Sequence, residues 1–264
     1  MANGTSIEWT EVTWNPTTGC DKVSIGCDNC YALTLAKRLK AMGAEKYQVD
    51  GDPRTSGPGF GVTVHPHSLR APYTWKQPRL VFVNSMSDLL HGKVPLSFVR
   101  DVFAVMAETP QHTYQMLTKR AARLRKVADR LDWPDNLWVG VSVENADALD
   151  RVDELREVPA AIRFLSCEPL LGPLDGINLD RIDWVIAGGE SGPNHRPMQP
   201  EWAAGLRDAC TAAAVPFFFK QWGGRTPKAN GRLLEGTVYD GMPARRMLKT
   251  PSLHPVAAQS SLGA

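Results

Sequence analysis

No stretch of this 264-residue sequence approaches the roughly 20 consecutive apolar residues of a membrane-spanning helix, so no membrane partner is expected. The first residues, Met-Ala-Asn-Gly-Thr-Ser, have neither a basic start nor an apolar run, which predicts no secretory signal. Charge imbalance is small: 30 Lys and Arg against 28 Asp and Glu leave a formal net charge of +2. That balance provides no chain-wide pull toward nucleic acid and leaves only local basic patches as candidates. No Gly-x-Gly-x-x-Gly follows an early strand-like run, so a dinucleotide site is unsupported. Cysteine is sparse, at five residues, and without export signals points to a reducing cytoplasm, not a disulfide framework. What remains is ordinary globular composition, 43% hydrophobic and 22% charged, enough for one large domain or two small ones.

Three of the five cysteines fall within eleven residues, as Cys20-x6-Cys27-x2-Cys30, with Gly19 and Gly26 each directly before a cysteine. Three thiolates on one loop suit a soft metal, either zinc or an iron–sulfur cluster. A single disulfide would leave one cysteine over, and pairing Cys27 with Cys30 closes too short a loop to stabilise much. A closed structural zinc site takes four ligands, yet after Cys30 the next Cys or His residues are His65 and His67. Those two histidines flank a proline in a loop and read as incidental. Cys167 and Cys210 are distant and isolated. A cubane cluster held by three cysteines leaves one iron open to a small molecule.

Apolar runs of strand length alternate with amphipathic stretches along the chain. They predict strands over 7–14, 80–84, 113–117, 137–143, 162–166, 184–187 and 216–220, and a short strand at 62–64. Helices are expected over 31–42, 95–108, 121–131, 145–157 and 200–213. The connection from 166 to 184 is turn-rich and is read as lacking a full helix. This alternation predicts an α/β fold, a partial (β/α) barrel of about six to seven parallel strands with the cysteine loop after the first. An open doubly wound sheet is the other arrangement. Residues 1–222 would form the barrel, 223–250 a C-terminal hairpin or extension packed on it, and 251–264 a disordered tail.

Nearly every expected strand ends in chemically capable residues: Asn84, Ser85, Ser87 and Asp88; Thr118, Lys119 and Arg120; Ser142, Glu144 and Asn145; Cys167 and Glu168; Gly188, Gly189 and Glu190; Lys220, Gln221 and Trp222. In a (β/α) barrel such ends converge on the face where active sites lie. Loops are polar in any case, but charged groups at element junctions need partners if buried, which favours a convergent site. The basic run from Lys119 to Arg130 reads as a solvated outer helix, with phosphate contact as its other use. Arg225, Lys228, Arg232, Arg245, Arg246 and Lys249 make the C-terminal end basic too.

Several segments resemble, in order, a phage and prophage family of three-cysteine-motif proteins grouped with the radical S-adenosylmethionine superfamily. They are Trp14-Asn-Pro-Thr-Thr-Gly-Cys20, Gly26-Cys-Asp-Asn-Cys-Tyr31-Ala32, Val83-Asn-Ser-Met-Ser-Asp-Leu89, Met116-Leu-Thr-Lys-Arg120, Leu165-Ser-Cys-Glu-Pro-Leu170, Gly188-Gly-Glu-Ser-Gly192 and Phe219-Lys-Gln-Trp-Gly223. The superfamily loop is usually C-x3-C-x2-C, where this one has x6. The resemblance implies a [4Fe-4S] cluster on Cys20, Cys27 and Cys30, and S-adenosyl-L-methionine as the second cofactor. It implies Asn84, Ser85, Ser87 and Asp88 at the cofactor's amino-acid end, with Lys119 against its carboxylate. Glu144 and Asn145 would meet the ribose, and Gly188 and Gly189 would let backbone approach a ligand. Cys167, Glu168 and Glu190 are the implied catalytic groups. As a lone cysteine, Cys167 also reads as a small buried residue, the more usual case.

The resulting expectation is a cytoplasmic radical enzyme that generates a 5′-deoxyadenosyl radical. It would be served by an external electron donor and a partner protein encoded alongside, with nucleic acid or a nucleotide as candidate substrate. Two readings compete: a non-catalytic zinc- or cluster-stabilised nucleic-acid-binding module, and a metal-independent barrel hydrolase using Glu144, Glu168 or Glu190 as base.

Overall fold

A computed structural model describes residues 4–244. Strand β1 (Val12–Trp14) leads into β2 (Thr17–Thr18), the cysteine loop and helix α1 (Tyr31–Ala41). A long irregular segment then carries β3 (Thr63–Val64), which pairs antiparallel with β2 and ties down both ends of the loop region. From there the alternation is regular: β4 (Leu80–Val83), α2 (Leu96–Glu108), β5 (Thr113–Thr118), α3 (Ala121–Val127), β6 (Leu137–Ser142), α4 (Asp150–Arg156) and β7 (Ile162–Cys167). No α-helix separates β7 from β8 (Trp184–Gly188); α5 (Pro200–Ala212) and β9 (Phe217–Gln221) follow.

Seven strands form one all-parallel sheet in chain order, β1-β4-β5-β6-β7-β8-β9, curled into a half-barrel. Right-handed βα crossovers produce such an order when each strand is laid beside the last. β1 and β9 do not pair, so two edges stay open to other chain segments. Gly4 bridges Val12 at one edge, and Asp240 bridges Phe218 at the other, which covers unpaired strand groups that would otherwise invite aggregation.

Side chains alternate across the sheet with period two. Val81, Val83, Tyr114, Met116, Val139, Val141, Leu165 and Val185 face the helices and build the main core with Val99, Val102, Phe103, Leu124, Leu155 and Leu206. The inner face carries a second cluster: Phe82, Trp138, Phe164, Trp184, Ile186 and Phe218, with Trp9 folded in among them. The first strand is therefore shorter than the expected 7–14. Trp9 leaves the sheet plane to pack edge-on against Phe82 and Trp184, with ring centroids at 4.7 and 6.2 Å. The aromatic layer plugs the half-barrel and leaves its C-terminal mouth polar.

The expected hairpin after residue 223 is a single rung. Leu234 and Thr237 exchange backbone hydrogen bonds at 3.0 Å across Glu235 and Gly236, both at positive φ. The tail over 251–264, and Arg245, Arg246 and Lys249, lie outside the described residues.

The basic helix is exposed at Arg125, Lys126 and Arg130, as expected, and departs from expectation at one residue: α3 ends at Val127 in a 3-10 turn, and Arg123 is half-buried. Its guanidinium donates to the carbonyls of Leu90, His91 and Val94, clamping the loop between β4 and α2. Arg123→Ala is expected to cost about 1–3 kcal/mol, because three carbonyls lose a charged donor. Lys126→Ala, at an exposed position, should stay within about 0.5 kcal/mol of wild type. Urea denaturation of both variants checks this; equal midpoints would show that the clamp contributes nothing.

Candidate active site at the half-barrel mouth

Because all seven strands run the same way, their C-terminal ends share one end of the sheet, and the period-two alternation sets which residues look inward there. Continuing the inner row of each strand gives Lys119 after β5, Glu144 after β6, Glu168 after β7, Glu190 after β8, and Lys220 within β9. Cys167 belongs to the opposite row. It is fully buried in the helix-side core with Cys210, and burial pushes its thiol well above the usual range. Strand parity turns Cys167 away from the mouth, which agrees with its reading as a small buried residue and not with a catalytic role.

The cysteine loop lies across this mouth and is sewn to four strand ends. At its start, Gly19 sits at φ 83°, where a Cβ would overlap the Gly61 carbonyl, and its N–H donates to Met86 O at 3.1 Å. Only glycine fits there. Arg120, after β5, donates to Cys20 Sγ at 3.3 Å and to Asp21 O at 3.0 Å. Ser24 donates to Glu144 Oε1 at 2.7 Å, and a Cβ on Gly26 would collide with the same carboxylate. Asn29 donates to Glu190 Oε2 at 2.9 Å. Arg196 pairs with Glu190 and donates to Ile25 O at 2.9 Å. Tyr31, the first residue of α1, donates its hydroxyl to Ser85 O at 2.5 Å.

The strand-end carboxylates are thus paired. Glu144 is 0% exposed and meets Lys119, Arg151 (2.9 Å) and Ser24. Burial opposes its ionisation, yet Lys119 and Arg151 hold its carboxyl below the usual range. Glu190 follows the same logic: burial is outweighed by Arg196 and Asn29. Asp88 accepts from Thr118 Oγ1 (2.8 Å), the amides of Leu90 (2.9 Å) and Lys119 (3.2 Å), and Arg120 (2.9 Å). Asn145 donates to Asp147 at 3.0 Å in its own turn.

Other groups keep capacity for a ligand. Glu168 pairs with Lys220 at 2.8 Å, and Ser166 lies 3.4 Å from its other oxygen. A Cβ on Gly188 would crowd Glu168, and one on Gly189 would overlap the Trp222 carbonyl. Asn84, at φ 67°, donates to Thr17 Oγ1 at 2.7 Å, while its buried Oδ1 has no hydrogen-bond partner among the described residues. Ser85 and Ser87 bond to Asn15 and Thr17.

The thiols of Cys20, Cys27 and Cys30 are free and partly buried. Burial and Asp88 push Cys20 up to about 12 against the pull of Arg120. Burial also raises Cys30, against the amides of Ala32 and Leu33 at the start of α1. All three thiols are carried on the one loop between β2 and α1. Soft donors of this number, faced by Arg120, Lys119 and a helix N-terminus, fit a thiolate-ligated group. Among the described residues, no set of three or more His, Cys, Asp or Glu stands in a ready metal-holding arrangement. His65 shares a 2.8 Å hydrogen bond with Thr18 Oγ1, and burial lowers it to about 4.

Arg151, Arg196, Ser24 and Asn29 were not legible as site residues. Arg120 was legible as a strand-end residue beside Thr118 and Lys119, but its contact with Cys20 was not.

Among solved structures, the chain is similar to spore photoproduct lyase complexed with dinucleoside spore photoproduct (11% identity over 72% of this chain and 58% of that one, TM-score 0.45). It is also similar to a double mutant of that lyase with bound AdoMet and the same dinucleoside (10%, 71% and 58%, TM-score 0.45), and to a cysteine-to-serine mutant (13%, 76% and 61%, TM-score 0.46). The chain spans 58% to 61% of the length of these neighbours. No curated protein matches. The model of the family described as "Protein of unknown function (DUF5131)" matches residues 4–243, and the chain belongs to that family.

Proposed function

We propose that the protein is a radical S-adenosylmethionine-like iron–sulfur enzyme, with Cys20, Cys27 and Cys30 holding a [4Fe-4S] cluster. One observation carries the reading: a loop bearing three free thiols is fastened by side chains to the strand ends of a parallel half-barrel, over its polar mouth. When bound, the cluster supplies one-electron reductive cleavage of S-adenosylmethionine to give a 5′-deoxyadenosyl radical.

The chain's own residues divide into two groups. Asp88, Lys119, Glu144 and Glu190 anchor and shape the loop, since their charges are already paired. Asn84, Ser85 and Ser87 sit beside the loop with polar capacity left, and bind the cofactor's amino-acid end. Glu168 and Lys220 form the polar pair that faces substrate, with Gly188 and Gly189 keeping backbone close. Asn145 stands at the rim for the ribose. The substrate class is nucleic acid or a nucleotide. An external electron donor, a partner protein encoded alongside, a phage or prophage origin and a cytoplasmic setting belong to the same proposal. Glu144 and Glu190 are disfavoured as bases for hydrolysis, because their cationic partners lower their affinity for a proton and already occupy their oxygens.

The test is anaerobic. Reconstituted, dithionite-reduced protein is mixed with S-adenosylmethionine and followed by electron paramagnetic resonance and by chromatography for 5′-deoxyadenosine. A changed signal and slow release of the nucleoside are expected. A spectrum indifferent to S-adenosylmethionine sinks the reading, and a colourless zinc-bound protein points to the structural nucleic-acid-binding module.

A further inference from the structure

The three cysteines are not equivalent in their surroundings. Among the described residues, Cys20 alone of the three receives a side-chain N–H, from Arg120 Nη1 at 3.3 Å. The same nitrogen meets Asp88 Oδ2 at 2.9 Å, and Nη2 donates to Asp21 O at 3.0 Å. The guanidinium is thus a fork across the first cysteine and the residue after it. Asp88 fixes the fork and is itself fixed by Thr118 Oγ1 and the amides of Leu90 and Lys119. Only 15% of the Arg120 side chain and 7% of that of Asp88 are exposed, so water competes little for these bonds.

We infer that Arg120, held by Asp88, is a positioning residue for Cys20 that fixes this sulfur and tunes the group it ligates. The inference rests on the cluster reading above. A donor aimed at a ligand sulfur stabilises the more negative, reduced state of an iron–sulfur group and raises its potential. Arginine suits the task because its planar fork binds two acceptors at fixed angles, which a lysine ammonium on a flexible stem does not reproduce. A purely structural Asp88–Arg120 pair would leave the potential alone.

The test uses the full chain as wild type, Arg120→Lys and Arg120→Gln, reconstituted anaerobically with iron and sulfide. The readouts are iron per protein and midpoint potential, from a redox titration followed by electron paramagnetic resonance. Full iron in all three is expected, with the Arg120→Gln potential shifted negative and that of Arg120→Lys shifted part of the way. A folded Arg120→Gln protein that takes up no iron while Arg120→Lys takes it up also supports positioning. Full iron with unshifted potentials in both variants overturns the inference. If circular dichroism shows Arg120→Gln unfolded, Arg120→Lys decides alone: a negative shift supports the role, and an unchanged potential overturns it. Wild type that holds no iron defeats the cluster reading itself, and this inference with it.

Discussion

Replacing any one of Cys20, Cys27 or Cys30 with alanine is expected to abolish bound iron, not to reduce it by a third. The reason is chelation. Three thiolates on one short loop share the entropy cost of ordering that loop, so loss of one weakens the hold of the other two. The anchors sharpen the expectation: Arg120, Glu144 and Glu190 already fasten the loop, so an alanine variant should remain folded while losing the metal. Cys167→Ala and Cys210→Ala should keep full iron, since both thiols lie in the helix-side core. Their cost should be packing alone, about 1 kcal/mol for a small buried side chain. Iron per protein after anaerobic reconstitution, beside a thermal melt, separates these outcomes. Two-thirds of wild-type iron in Cys27→Ala would defeat the chelate argument.

Glu144→Ala is expected to destabilise the protein by about 3–5 kcal/mol at pH 7, the usual consequence of removing one partner from a buried ion pair. It strands Lys119 and Arg151 facing each other and removes the acceptor of Ser24, so the cysteine loop should loosen at the same time. The pH dependence has a definite sign. Glu144 has a lower pKa in the folded chain than when unfolded, so the unfolded chain binds more protons in acid. Its contribution is fully present above the ordinary glutamate value of about 4.3 and is lost as pH falls through the folded value. Wild type and Glu144→Ala should therefore differ most near neutrality and converge in strong acid. Urea titrations of both proteins at pH 7 and near pH 3 test this, and a gap that does not narrow between the two would assign the loss to packing instead of charge. Glu190, held down by Arg196 and Asn29, adds to the same acid sensitivity.

The expected strands from β4 onward were recovered to within a residue, because buried parallel strands are nearly continuous apolar runs that end sharply at polar residues, whereas α3 ends four residues before, and α4 starts five residues after, the expected bounds, each missing stretch holding a 3-10 turn. The runs ending at Val83, Thr118 and Ser142 are of this kind. The misses share one cause. Trp9 looked like part of a strand by composition, but the half-barrel has an inner face that needs filling, and a tryptophan folded out of the sheet fills it. Arg123 looked solvated because it lies among charges on a helix, yet it reaches three carbonyls on a loop about 30 residues earlier in the chain. Local periodicity carries no information about such partners.

The sequence by itself determined the parallel α/β architecture, the three-cysteine loop after the first strand, and the presence of polar residues at successive strand ends. Each is a local property: a run of apolar residues, a spacing of thiols, a residue type next to a boundary. The tertiary structure alone decided which of those polar residues face one another. Strand parity sent Glu144, Glu168 and Glu190 inward and Cys167 outward. Contacts across long sequence separations then paired Glu144 with Lys119, Arg151 and Ser24, and Glu190 with Arg196 and Asn29. They also set Arg120 on Cys20, and among the described residues left Asn84 with a buried oxygen unpaired. The physical reason is that burying a charge is costly unless a counter-charge or hydrogen-bond donor meets it, and those partners come from other strands and from the cysteine loop.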